Sequence, residues 1–116
     1  MGKRSRQRGR AQAMRAPLVP YEHAEFGVLA LRGSMTPATR RAYMELPSRT
    51  REDAWHRSVE FLFERLAARW TVAGVEYVRQ DELLGRFRVA SEGERAWIRD
   101  VLREHAAEHF PELEAP

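Results

Sequence analysis

The stretch from Arg51 to Trp70, REDAWHRSVEFLFERLAARW, restricts the fold more than any other part of the chain. Trp55, Val59, Leu62, Phe63, Leu66 and Trp70 recur at steps of three and four, which puts them on one face of an α-helix. A stripe of that length is stable only when buried against another layer, so the rest of the chain must supply one. Thr50 can cap the helix, and Glu52 and Asp53 bring carboxylates to its positive end. Phe61 falls off the stripe and is therefore either packed on a second side or offered to a partner.

Further helices are announced by their end signals. Thr36-Pro37 joins a capping hydroxyl to a proline in the first turn, and Pro47 closes the segment, predicting a helix over roughly 37 to 46. Asp81 can cap a short helix carrying Leu83, Leu84 and Phe87. Ser91-Glu-Gly-Glu94 is a capping box that opens a helix from Glu92 to about His109, with Ile98, Val101, Leu102 and His105 on its face. Between these, Trp70 to Val78 is β-branched, and Ala73-Gly74 can form a two-residue turn, so a small hairpin or extended loop is expected. Phe26 to Leu31 suits either a buried strand or the end of a helix stopped by Gly33, and the reading favours helix.

The expected fold is mainly α, an all-α bundle of four to five helices with one short β-hairpin or extended loop. Its predicted core is Trp55, Val59, Leu62, Phe63, Leu66, Trp70, Leu84, Phe87, Trp97, Val101 and Leu102. A length of 116 residues suits one domain, and 43% hydrophobic with 32% charged residues is a globular composition. The expected organisation is a disordered basic arm and proline linker over residues 1 to 20, a helical domain over 21 to 110 and a tail over 111 to 116.

The net charge of +3 conceals a division. Lys3, Arg4, Arg6, Arg8, Arg10 and Arg15 give the first fifteen residues +6 with no acid, leaving fourteen cations against seventeen acids, or −3, in the remainder. Such an arm can neutralise phosphates and release counterions without reading sequence. Nineteen of the twenty cations are arginine, a bias that GC-rich coding DNA would also produce. With no cysteine, the chain has no disulfide, thiolate metal site or cysteine nucleophile. No apolar run approaches the about 20 residues of a membrane span, and the basic start is not followed by a signal-peptide core, so a cytoplasmic location without membrane contact is expected.

His105-x-x-Glu108-His109 has the spacing of one class of zinc peptidases, in which two histidines on a helix face chelate an ion beside a glutamate base. In that class a later helix supplies the third ligand, and here only seven residues follow His109, with Pro111 among them. His105 also continues a packing stripe, while His109 in the last turn meets the negative helix end. The expectation is therefore no metal and no other cofactor. There is no G-x-S-x-G elbow, Walker loop or G-x-G-x-x-G, and Glu60 and Glu64 alternate with Arg57 and Arg65 as a solvated face would. These absences favour a protein that is not an enzyme. Leu83 to Arg103 has the outline of a helix-turn-helix, but its second helix opens with Glu92 and Glu94, which repel DNA where it should be gripped.

A long amphipathic helix ending at Trp70, then Thr-Val-Ala-Gly-Val-Glu-Tyr-Val78 and a short leucine-bearing helix, resembles small tail-assembly-chaperone-like proteins of phages infecting actinobacteria. Leu31-Arg-Gly-Ser-Met-Thr-Pro37 is similar to their early segment, and the resemblance spans about residues 26 to 90. It implies a non-enzymatic assembly factor that binds other structural proteins through helical surfaces. The functional expectation is thus a protein-interaction or assembly factor of phage or actinobacterial origin, with Phe61 and Tyr77 as partner-binding residues. The alternative is an RNA- or DNA-binding protein using the arginine-rich arm.

Overall fold

The computed structural model describes residues 17–47 and 50–113. Among these, four strands and four helices follow one another as β1 (Leu18–His23), β2 (Gly27–Arg32), α1 (Pro37–Met44), α2 (Arg51–Leu66), β3 (Ala67–Val72), β4 (Val75–Tyr77), α3 (Gln80–Arg88) and α4 (Glu92–His109). The strands pair in sequence order as one antiparallel sheet, β1-β2-β3-β4. This overturns the mainly α, all-α expectation: the fold is mixed, with helices packed on one face of a four-stranded sheet.

Two local features account for the difference. Residues 18 to 32 form a hairpin, because Gly27 can take φ +89 at the end of its loop. A Cβ there would lie 1.9 Å from the Thr71 carbonyl oxygen, so glycine is the residue that lets β2 approach β3. Leu29, Ala30 and Leu31 are all buried, which removes the alternation that would have marked the segment as a strand. Secondly, α2 stops at Leu66 and the chain passes without a loop into β3, so Trp70 belongs to a strand although its spacing continues the helical stripe.

Strand β1 begins inside the stretch read as a proline linker. The Gly33 N–H donates to the Pro17 carbonyl at 3.2 Å, which makes Val19, Tyr21 and His23 the positions bonded to β2. Leu18, Pro20 and Glu22 then turn their backbone groups away from the sheet. Pro20 has no N–H and sits where none is needed, blunting the edge.

Tyr21, Leu29, Trp70 and Tyr77 lie in register across the four strands on the face that the helices cover. Trp70 is fully buried, its indole N–H donates to the Phe26 carbonyl at 2.9 Å, and Phe63 of α2 meets it edge-on. The opposite face carries Arg69 and Glu76, paired across β3 and β4. Ala73 and Gly74 both have positive φ, as the predicted two-residue turn requires.

Three of the four helix starts follow their signals. The Thr36, Thr50 and Ser91 side chains accept from the N–H three residues on, and Ser91 with Glu94 completes the capping box. Arg79 rather than Asp81 stands at the cap of α3, without a side-chain bond. Val59, Leu62, Phe63, Leu66, Trp70, Phe87, Val101 and Leu102 are core as expected, whereas Trp55, Leu84 and Trp97 are half-buried at its margin. Among the described residues no helix is long and apolar enough to cross a membrane.

Candidate functional site

An open cleft of about 610 Å³ forms where several element junctions meet. Arg32 to Thr36 joins β2 to α1, Glu64 to Ala68 joins α2 to β3, and Val78 to Gln80 joins β4 to α3; the start of β1 closes the fourth side with Leu18. Junctions cluster here because the antiparallel order brings the start of β1, the end of β2, the start of β3 and the end of β4 to one end of the sheet, where β3 is also bulged. Ala30 opposes Arg69 and Leu31 opposes Ala67, so Ala68 has no residue across from it and the strand bends at the cleft wall.

The lining combines two chemistries. Met35 and Leu83 form an apolar floor, and Leu18 and Val78 stand at the rim, 45% and 55% exposed. Arg32 and Arg65 bring two cations against the one carboxylate of Glu64. The Arg32 guanidinium donates to the Ala67 carbonyl at 3.0 Å, and that of Arg65 lies over the Phe61 ring, 5.3 Å from its centroid. Neither arginine is in an ion pair with a described residue, whereas Arg57, Arg69, Arg79, Arg86 and Arg88 each are. Thr36 adds a hydroxyl, already committed to capping α1 through Thr39.

The wall that carries Arg32 is fixed from behind by His105 of α4, which is fully buried. Its Nε2 lies 2.8 Å from the Arg32 carbonyl, which can only accept, so Nε2 carries the proton. Nδ1 is then the acceptor for the Tyr21 hydroxyl at 2.8 Å. Burial disfavours the imidazolium and, with His109 adding to the effect, outweighs the Arg32 carbonyl and Glu108, so the His105 pKa lies below its ordinary value. Burial, then Glu104 and Glu108, push the Tyr21 phenol up to about 12. A neutral histidine thus ties β1, the end of β2 and α4 together. Near the other end of α4, burial raises the Glu94 carboxyl, but the Ser91 N–H and the Arg86 guanidinium outweigh it and hold the pKa below the usual value.

These bonds also settle the geometry of the H-x-x-E-H spacing. Both ring nitrogens of His105 are engaged within the protein, and the His109 ring lies tilted against it with centroids 4.4 Å apart, so His105 has no free nitrogen to share an ion with His109. No group of three metal-ligating side chains occurs among the described residues.

The residues expected to bind a partner are not brought together. Phe61 is half-buried on α2 against Tyr43, and Tyr77 is half-buried on β4 opposite Trp70; neither lines the cleft. Lys3, Arg4, Arg6, Arg8, Arg10 and Arg15 lie outside the described residues. Arg32, Arg65, Leu18 and Val78 carry no sequence motif, because they gather from three separate junctions and the start of β1. The one signal that could have marked them is their position at element ends. Compared with protein-family models, curated proteins and solved structures, the chain matches none.

Proposed function

We propose that this chain is a non-enzymatic protein-interaction or assembly factor, of phage or actinobacterial origin and working in the cytoplasm, that holds its partner in the junction cleft. The observation that carries the reading is the pairing of exposed aliphatic rim residues, Leu18 and Val78, with two arginines, Arg32 and Arg65, that form no ion pair with a described residue. Aliphatic anchors beside arginine are what a protein interface uses, since the apolar contact supplies affinity and the guanidinium fork supplies direction. The resemblance of residues 26 to 90 to phage tail-assembly chaperones points the same way.

Photo-crosslinking tests this in the organism that makes the protein. A photoreactive residue at Val78 should capture a protein, and one at Val89, which is 76% exposed and away from the cleft, should not. Capture of nucleic acid at Val78, or equal protein capture at both positions, would refute the reading.

The second reading, an RNA- or DNA-binding protein, rests on the six cations of the first fifteen residues. It requires affinity that falls steeply with salt and vanishes when residues 1 to 16 are removed. The first reading requires that the main protein complex survive that truncation.

A further inference from the structure

We propose that the segment seated in the cleft is acidic and aliphatic: carboxylate side chains of the partner pair with Arg32 and Arg65, and a neighbouring aliphatic side chain packs on Leu18 and Val78. This rests on the protein-interaction reading and specifies the partner's chemistry.

Among the described residues lining the cleft, two arginines stand with one glutamate, Glu64, whereas residues 16 to 116 taken together carry fourteen cations against seventeen acids, or −3. The cleft is a local cationic site in an acidic domain, so it selects against basic and for acidic segments. Geometry adds to this. Arg32 spends one of its five donors on the Ala67 carbonyl, and Arg65 uses the face of its guanidinium on Phe61, so N–H edges remain for a carboxylate to bridge. Both side chains are already oriented by these contacts, and the Arg32 backbone is held by His105, which lowers the ordering cost of binding.

A nucleic acid fits less well. None of the described residues lining the cleft is aromatic, so bases have no ring to stack on there. Phosphates would meet Glu64, and nothing on a phosphate backbone would cover the exposed Leu18 and Val78. Peptide addition along β1 is also disfavoured, because the outward register holds Pro20. The partner segment therefore enters by its side chains.

The test pans the full-length chain against a displayed library of random linear peptides and measures a synthetic copy of the most enriched sequence by calorimetry. The expected winners place Asp or Glu beside Leu, Ile, Val or Met. R32Q and R65Q should each weaken binding roughly tenfold, as loss of a charge-assisted hydrogen bond does. R41Q, at an exposed arginine of α1 outside the cleft, should leave it unchanged. Circular dichroism verifies that the variants stay folded. R65E should restore binding to a peptide whose acidic residue is changed to lysine, which a variant weakened by misfolding could not do.

Enriched peptides without an acid that are still lost with Val78→Asp would keep the interaction reading and overturn the acidic partner. If no peptide is enriched and an RNA oligonucleotide binds with R32Q sensitivity, both fall. Acidic peptides indifferent to R32Q and R65Q would overturn the site.

Discussion

Replacing His105 with leucine keeps a side chain of similar bulk in the core while removing both of its hydrogen bonds. The Arg32 carbonyl and the Tyr21 hydroxyl, each 2.8 Å from the ring, then lose their partners. A buried polar group left unpaired costs about 1–3 kcal/mol, and Tyr21, being half-buried, recovers part of its share from water. The sum is about 3 kcal/mol, which for a domain of this size lowers Tm by roughly 12–24 °C. Thermal and urea denaturation followed by circular dichroism at pH 7.5, about a unit above the ordinary histidine pKa, would measure it. Tyr21→Phe alone leaves Nδ1 without a donor in a dry site and should cost about 1–2 kcal/mol. In the His105→Leu background the same change should cost almost nothing, because the shared bond is already gone. Full additivity, or a His105→Leu protein within about 0.5 kcal/mol of the parent, would refute the assignment of this histidine as the tie between β1, β2 and α4.

Other outcomes follow from the same structure. The folded-state pKa of His105 is depressed below 6.5, so its neutral form contributes stability that is complete above that value and is lost as pH falls toward the folded pKa. Denaturation midpoints taken across that window should drop in the parent and drop less in His105→Leu; parallel curves would contradict the linkage. Glu94→Ala removes the capping box and the partner of Arg86 together, and should cost about 2–3 kcal/mol by urea denaturation, with Glu94→Gln intermediate. Ala73 holds φ +51 in the β3–β4 turn, so Ala73→Gly or Ala73→Asn should stabilise by about 0.5–1 kcal/mol; a loss of stability would mean that the turn is not built as described. Gly27→Ala should lose at least about 2 kcal/mol, since its Cβ would collide with the Thr71 carbonyl.

Three helix starts were legible in the sequence because their caps are local, whereas α3 starts at Arg79 and not at the Asp81 cap the sequence suggested. Thr36, Thr50 and Ser91 cap through atoms three residues away, so a short window contains the whole cause. The first hairpin was not legible, for two reasons that concern distant parts of the chain. Leu29, Ala30 and Leu31 are all buried by tertiary packing, which erases the period-two pattern, and Pro20 is tolerated only because its register faces outward. Trp70 misled by coincidence: it stands four residues after Leu66 and is as buried as a helix-face residue, yet it reaches the core from a strand. The face of α4 was read correctly, and His105 lies on it. What could not be read was its partners, Tyr21 and the Arg32 carbonyl, which are 84 and 73 residues away. The cleft was invisible for the same reason, being assembled from residues whose only common property is that an element starts or stops beside them.

Placing a charge on the rim of the junction cleft tests whether a partner protein is held there. Val78 and Val89 are both exposed valines, 55% and 76%, so aspartate at either should leave the fold intact. Affinity for the protein captured at Val78 would be measured by calorimetry for Val78→Asp and Val89→Asp. A loss of roughly a hundredfold is expected for Val78→Asp, the effect of truncating an interface anchor, and no change for Val89→Asp. Unchanged affinity for Val78→Asp, or an equal loss at Val89, would contradict it.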